Sequence, residues 1–450
     1  MKHKMCNLGW RAHRTANPRD PVHEEYRTKQ NAYADAIDWT KWEHWQEWLE
    51  GVDEDSVWTA HRFLSSPSTD RGHTRIPTLC KKGDAGGNIT YAESNEDKGQ
   101  LLFDSFYSAH TLDHGIGDNA VYPPPKFNFS PITDTQIIRA ISCLHAYKAP
   151  GVDNIPNAIF VKYSTTFIPY LGHLYRATFA LGVYPQEWKD SRTVVLQKPG
   201  KPDYTAPGVY RPIALIHTIS KILSLCIADE LMQLAEKHRI LPTNHFGCRA
   251  GRSTTDSLHY VTKTVKDAMA KDKVVSVLFL DIKGTFPSIN LERLIHDMRK
   301  RGIPREYTDW IVQKISGRQT TMAFDGYDSS LFTLPCGTDQ GCPLSGMLFQ
   351  FYNADLLDMA DISNGKDAVA FVDDTALLAT APTFKVANQK LKAMMECTNR
   401  GFAWAASHGC EFAIDKFALV GFTRKMQPVV APPRGNPPHT GNPHKTQPVV

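Results

Sequence analysis

The chain has 450 residues, 42% of them hydrophobic and 22% charged, with a net charge of +4. That is apolar material for a large core in two or three structural units, and the near-neutral total gives no broad signal of nucleic-acid binding. Nine cysteines without a CxxC exclude a disulfide framework and a zinc knuckle and fit a reducing, intracellular compartment, and no run of about eighteen apolar residues is there to span a membrane.

Met1-Lys2-His3-Lys4-Met5-Cys6 leads into polar sequence, so no signal peptide is readable. Trp39, Trp42, Trp45 and Trp48 recur every three residues among charges. Such a row drifts around a helix and makes only a partial apolar stripe. It reads as one helix that packs its tryptophans on something else, with stacking on bases as the alternative. Ser65 to Gly99, rich in Ser, Gly, Thr and charge, reads as loop or linker. A helical pattern over Glu96 to Tyr107 precedes the break at Tyr122-Pro123-Pro124-Pro125. Residues 1–125 are therefore expected to form an N-terminal helical extension and linker.

From Thr133 to Ala146 an amphipathic helix runs into Lys148-Ala149-Pro150-Gly151-Val152-Asp153. Helices and short apolar runs then alternate to about Arg424, which makes residues 126–425 one large α+β domain. Between Ile141 and Ser220 eight bases (Lys148, Lys162, Arg176, Lys189, Arg192, Lys198, Lys201, Arg211) outnumber four acids. A local excess of this kind faces phosphate or is simply a solvated basic surface. Arg299-Lys300-Arg301 reads as a helix end rather than a nuclear signal. Cys397, His408 and Cys410 stand at no standard zinc-ligand spacing. Residues 426–450 are Pro, Gly, Asn and His, with Gln-Pro-Val-Val twice, and read as a disordered tail.

Two apolar runs deliver aspartate. Val274-Val275-Ser276-Val277-Leu278-Phe279-Leu280 is β-branched and apolar, a buried strand with Asp281 at its end. Ala368-Val369-Ala370-Phe371-Val372 and Thr375-Ala376-Leu377-Leu378 read as two strands around a tight turn carrying Asp373 and Asp374. An Asp-rich turn alone is common. Carboxylates at the rim of buried strands cost desolvation unless something positive binds them, and Mg²⁺ with its preference for hard oxygen is the natural partner. Two such ions about 3.5–4 Å apart activate an attacking hydroxyl and stabilise a leaving pyrophosphate.

These residues resemble a known family. Phe371-Val372-Asp373-Asp374 looks like the metal-binding hairpin of reverse transcriptases, Asp281 with Phe286 like their first carboxylate motif, and Gln340-Gly341-Cys342-Pro343-Leu344-Ser345 like their QGxPLS segment. Lys148–Asp153, Lys198-Pro199-Gly200-Lys201-Pro202, Tyr210-Arg211-Pro212-Ile213-Ala214-Leu215 and Phe246-Gly247-Cys248-Arg249-Ala250-Gly251-Arg252-Ser253-Thr254 match the non-LTR (LINE-type) retrotransposon group. Trp404, His408-Gly409, Phe412 and Lys416 match its later segment, and the flavour is that of fungal retroelements. The resemblance covers roughly residues 95 to 425.

The resemblance implies the fingers and palm of a right-hand polymerase, with an antiparallel palm sheet backed by helices. It implies RNA-directed DNA synthesis on an RNA template and DNA primer from deoxynucleoside triphosphates, in the nucleus, with two Mg²⁺ ions (or Mn²⁺). Asp281, Asp373 and Asp374 would hold the metals, assisted by the Ile282 carbonyl. Phe286 would exclude a ribose 2′-hydroxyl. Lys198 and Arg211 would clamp the triphosphate. Gln340 would position nucleotide and template, and Gly341 would let the backbone come close. Lys416 would protonate pyrophosphate or else be a surface lysine. Arg249 and Arg252 would contact template phosphates or else form a solvated loop.

Departures are Gly346, where Pro or Met is usual, and Thr285, where Ala is commonest. The expected thumb after Arg424, an endonuclease, and RNase H carboxylates are not readable. A truncated nucleic-acid-binding remnant is therefore the alternative function. An RNA-dependent RNA polymerase is the third reading, and Phe286 speaks against it. GxxxxGK[ST], GxSxG and HExxH do not occur.

Overall fold

In a computed structural model of the protein the described residues are 20–50, 76–81, 90–107, 116, 120–398 and 400–424, with 6–9, 11, 12 and 15 near the N-terminus. The expected tail, 426–450, and most of the Ser65–Gly99 stretch lie outside them. The chain divides into two compact units, Met1–Thr74 and Arg75–Val450.

The described residues of the first unit are mostly those of α1 (Pro21–Glu50). Leu8, Ala12 and Val22 form a small cluster against Tyr26. Trp39 and Trp42 are 62% and 53% exposed, their rings 5.3 Å apart. The expectation of core packing therefore does not hold for these two. A three-residue spacing turns away from any single face, so it builds no stripe to bury.

The second unit opens with a small antiparallel hairpin, β1 (Leu79–Lys81) and β2 (Thr90–Ala92), and helix α2 (Asn95–Phe106), capped by Ser94. Leu79, Ala92, Leu101 and Leu102 bury with Val195, Tyr210, Met322 and Phe324. The described part of the presumed linker thus belongs to a core rather than to a loop. Helix α3 (Asp134–Ser142) starts at a capping box between Thr133 and Gln136 and ends four residues before the expected Ala146. There the chain is taken over by α4 (Asn157–Lys162): Asn157 Nδ2 donates to the His145 carbonyl and Ala158 N to that of Ala146.

After α5 (Ser164–Ala180), β3 (Ser191–Gln197) and β4 (Tyr210–Ile216) form an antiparallel pair. Helices α6 (Thr218–Lys237) and α7 (Thr254–Met269) precede β5 (Val274–Leu280) and the short β6 (Ile282–Lys283). Then come α8 (Leu291–Lys300), α9 (Arg305–Ile315), β7 (Gln319–Phe324), β8 (Tyr327–Asp328) and β9 (Phe332–Thr333). The chain continues through α10 (Pro343–Tyr352), α11 (Ala354–Leu357), β10 (Lys366–Phe371), β11 (Asp374–Ala381), α12 (Phe384–Glu396), α13 (Gly401–His408), β12 (Glu411–Phe412) and β13 (Ala418–Phe422). The fold is α+β.

Two larger sheets organise the unit. One has the order β10-β11-β5-β13, all antiparallel. The other has the order β4-β3-β7-β8, with β9 also on β7, and its β3–β7 pairing is parallel. Period-two alternation on β5 sends Val275 and Val277 to a cluster with Val265 and Ala268 of α7. Val274 and Leu280 go to the main core, and the Ser276 hydroxyl reaches Asn388 of α12 at 2.7 Å. The first sheet is thus covered by helices on both faces, and its apolar runs read as continuous rather than alternating. In the main core α6 packs on α3 and α10, and α8 packs on α9 and α10. Among the described residues no helix is long and apolar enough to cross a membrane.

Candidate active site

Two neighbouring strands bring acids to one corner. β5 runs out at Leu280 and delivers Asp281, while β11 begins at Asp374. Thr375 faces Leu280 in the antiparallel register, so one further step sets Asp374 opposite Asp281. In the adjoining hairpin Phe371 pairs with Asp374, leaving Val372 and Asp373 as a two-residue loop.

Of these two, Val372 alone has a positive φ, 60°. That is the pattern of a type II′ turn at the position glycine usually takes. A β-branched residue in this region costs about 1–2 kcal/mol, so the surroundings must enforce it. They do so from two sides. Asn353, buried just after α10, donates from Nδ2 to the Val372 carbonyl at 2.7 Å. The segment before Gly247 runs along β10, with Phe246 N on the Ala370 carbonyl at 2.7 Å and Ala370 N on that of Asn244 at 3.1 Å. Gly247 itself lies so close that a Cβ there would stand 2.4 Å from Val372 N.

Burial first, then the charges of Asp373 and Asp281, push the Asp374 carboxyl above its ordinary range. The corner therefore carries crowded negative charge. Two of its members already hold donors: Lys416 Nζ lies 2.5 Å from Asp281 Oδ2, and Thr285 Oγ1 donates to Asp373 Oδ2 at 3.0 Å. Among the described residues no three His, Cys, Asp or Glu side chains already converge as a closed ligand set. The donor chemistry nonetheless suits a divalent cation. The oxygens are hard, they repel one another, and an ammonium has been drawn onto one of them.

Several bases lie within electrostatic reach of these acids. Partial burial, then the charges of Lys416, Arg211 and Lys201, hold the Lys198 ammonium below its ordinary range, while Asp281 pulls the other way. Lys198, Lys201, Arg211 and Lys416 therefore share one field with Asp281. Lys198 Nζ donates to the Gly208 carbonyl at 2.8 Å, and Arg211 projects, exposed, from β4. The other bases of the local excess are partly neutralised: Arg192 pairs with Asp328 at 2.7 Å and Arg176 with Asp134 at 2.9 Å.

Gln340 is fixed by its main chain, its carbonyl accepting from Ala214 N of β4 at 2.8 Å. Gly341 follows with φ 131°, and a Cβ there would stand 2.6 Å from the Ala214 carbonyl oxygen, so the close approach the glycine serves is to β4. Beneath the loop Arg318, 2% exposed, pairs with Asp339 at 2.5 Å and donates to the carbonyls of Cys336 and Gly337. Thr338 N donates to the Phe286 carbonyl at 2.8 Å and Gly337 N to that of Ile289 at 2.8 Å, which ties this loop to the turn after Asp281. Phe286 is half-buried, its ring 6.0 Å from that of Phe349. Ile282 is buried in β6, which pairs with β12.

Arg249 and Arg252 do not join this group. Arg249 is 6% exposed; it bonds to Glu236 through Nε and to the carbonyls of Pro242 and His245 through Nη1. Arg252 bonds to the Thr243 and His245 carbonyls and lies over the Phe246 ring at 5.6 Å. These bonds use Arg249 donors to brace the 242–252 loop that backs the hairpin. His408 is likewise engaged, with Nε2 3.0 Å from Asp297 Oδ2 and Nδ1 2.8 Å from the Trp404 carbonyl.

Sequence reasoning passed over three residues here. Thr285 counted as a mild departure, Gly247 as part of a motif without a role, and Asn353 not at all. Gly346 stands where Pro or Met is usual. In the structure it makes room, since a Cβ there would stand 2.6 Å from Cys248 Sγ.

Known proteins are similar to this chain in sequence. A probable RNA-directed DNA polymerase from transposon BS of Drosophila melanogaster is 29% identical over 386 residues, 84% of this chain and 42% of that protein. One from transposon X-element of the same species is 32% identical over 235 residues, 51% of this chain and 25% of that protein. The chain thus spans less than half the length of these curated relatives. Among solved structures, apo telomerase from Candida tropicalis truncated from its C-terminal domain aligns over 61% of this chain and 57% of its own, with TM-score 0.38 and 12% identity. Residues 196–429 match the family described as reverse transcriptase (RNA-dependent DNA polymerase). That stretch is more than half of the chain and runs from the end of β3 past β13, taking in the acidic corner, Arg211, Gln340 and Lys416. The chain belongs to the reverse transcriptase family.

Proposed function

We propose that the chain is the RNA-directed DNA polymerase core of a non-LTR retroelement, adding deoxynucleotides to a primer 3′-hydroxyl by phosphoryl transfer. The observation that carries this reading is the placement of Asp374 opposite Asp281, with Asp373 in the same corner and Lys416 paired to Asp281. The matched relatives are named as RNA-directed DNA polymerases of transposons, which agrees with it. On this reading the β10-β11-β5-β13 sheet is the palm, and the sheet built on β3 and β4 belongs to the fingers.

Asp281, Asp373 and Asp374, with the Ile282 carbonyl as a further oxygen, would hold a pair of Mg²⁺ ions, which when bound would supply activation of the primer hydroxyl and charge neutralisation at the pyrophosphate. Arg211 and Lys198 bind the triphosphate, Arg211 by its two-pronged guanidinium. Lys416 holds a proton at Nζ beside Asp281 and is placed to give it to the departing pyrophosphate. Gln340, carried on the braced loop, orients the nucleotide against the template.

Phe286 packs on Phe349 under this corner and excludes the ribose 2′-hydroxyl. Phe286→Val is expected to raise incorporation of ribonucleotides relative to deoxynucleotides by at least about tenfold, since one lost steric contact changes discrimination by roughly 10–200-fold. Competition between the two nucleotides in single-nucleotide extension reads the ratio directly. An unchanged ratio would remove Phe286 from the sugar site.

The test of the function is primer extension on an RNA template with purified protein, Mg²⁺ and deoxynucleotides, with the Asp373→Ala, Asp374→Ala double variant as blank. Extension above the blank is the expected result. Equal binding of primer–template by both proteins without extension would make the chain a binding remnant.

A further inference from the structure

Thr285 is 8% exposed and donates its hydroxyl to Asp373 Oδ2 at 3.0 Å, across 88 residues of sequence. An ionised carboxylate only accepts, so the hydroxyl is the donor, and a hydrogen bond to a charged acceptor is stronger than one between neutral groups. The turn that carries Thr285 is itself fixed. The Gly284 carbonyl accepts from both Ser288 N at 2.9 Å and Ser288 Oγ at 2.6 Å, and the Phe286 carbonyl accepts from Thr338 N at 2.8 Å. On the other side, Thr375 Oγ1 reaches the Asp373 main-chain carbonyl at 3.4 Å. The hydroxyl therefore stands on rigid backbone and grips one oxygen of a side chain at the tip of a tight hairpin.

Asp373 needs such a grip. Its carboxylate shares a corner with Asp374 and Asp281, and like charges push one another apart. With no donor on residue 285 the Asp373 side chain would turn away from the other two acids towards water. We propose that Thr285 is a positioning residue for Asp373: its hydroxyl holds Oδ2 and so keeps the carboxylate beside the neighbouring aspartates, where the three would hold a divalent cation. The inference rests on the reading of these aspartates as a metal site. Partners of this kind, which orient a ligand rather than bind the metal, typically alter metal affinity or activity by about 10–100-fold when removed.

The test compares Thr285→Val, which keeps the shape and removes the hydroxyl, with Thr285→Ser, which keeps the hydroxyl and removes the methyl. The probe is Mn²⁺ without nucleic acid, followed through the paramagnetic resonance signal of the free ion, alongside primer extension as a function of Mg²⁺ concentration. Thr285→Val is expected to weaken Mn²⁺ binding by about tenfold and to raise the Mg²⁺ concentration for half-maximal extension by a similar factor. Extension at saturating Mg²⁺ should stay within a few-fold of wild type, and Thr285→Ser should match wild type in both measurements. If Thr285→Val binds Mn²⁺ as wild type does while Thr285→Ser is the weaker variant, the side chain only fills space and the proposal falls. If wild type binds no more Mn²⁺ than the Asp373→Ala, Asp374→Ala variant, the metal-site reading falls and takes this inference with it.

Discussion

Asp281→Asn is expected to reduce primer extension by at least about a thousandfold and to leave the protein as stable as wild type or more so. The loss follows from the proposed metal site: metal-borne stabilisation of a phosphoryl-transfer transition state is worth several kcal/mol, and about 4 kcal/mol corresponds to three orders of magnitude in rate. The stability effect has the opposite sign. Asp281 is one of the two charges that push the Asp374 carboxyl upward, so its neutral isostere relieves repulsion in the folded state. What is forfeited is the ion pair with Lys416, whose side chains are 59% and 37% exposed. Pairs at that exposure contribute about 0–1 kcal/mol. Thermal unfolding without divalent metal should therefore show an equal or higher midpoint for the variant. Added Mg²⁺ should raise the wild-type midpoint more than the variant's, because a ligand that binds only the folded state stabilises it. Activity within tenfold of wild type would place the reaction elsewhere.

Gly247→Ala should cost about a hundredfold in kcat/KM although residue 247 takes no part in chemistry. The added Cβ would lie 2.4 Å from Val372 N, 2.5 Å from Val372 Cγ2 and 3.0 Å from the Phe371 carbonyl carbon. Two of these three atoms are backbone, so no rotamer change relieves the contact and the hairpin must shift. Displacement of reacting groups by about 1 Å is enough for a hundredfold loss. Overpacking should also destabilise by about 1–3 kcal/mol, visible as a lower unfolding midpoint. Val372→Ala in the same chain removes Cγ2 and leaves the clash with Val372 N. The double variant is therefore expected to stay impaired, and full recovery would show that the side chain alone was in the way.

The strands that carry the acids were readable because burial on both faces writes an uninterrupted apolar run. Val274–Leu280 and Ala368–Leu378 were placed to within a few residues on that signal alone. A helix start was readable where a side chain closes the first turn, as at Thr133. The end of the helix after Thr133 was not, because what stops it is capture of the His145 and Ala146 carbonyls by a later helix and not a local breaker. The same limit hid Thr285, Gly247 and Asn353. Each acts on the Val372–Asp373 turn from a distant part of the chain, and pattern and propensity describe only neighbours. The engagement of Arg249 was illegible for a related reason: a basic loop residue looks exposed until Glu236 and two carbonyls are seen to absorb its donors. Hydrophobicity also misled at Trp39 and Trp42, which lie open on a helix without a coherent apolar face.

The position of β5 inside its sheet sets an order of events during synthesis. Its two neighbours, β11 and β13, both come later in the chain, and β13 supplies Ala418–Phe422 against Val275–Phe279. Likewise β3 waits for β7 before its parallel partner exists. A nascent chain that has emerged only as far as α10 therefore exposes both edges of an apolar, β-branched strand with nothing to pair with, the arrangement most prone to sticking to other chains. Because such long-range pairings close late and slowly, the protein should depend on chaperones while it is being made. A ribosome stalled between Asp281 and Ala418 would release an aggregation-prone fragment rather than a partial enzyme.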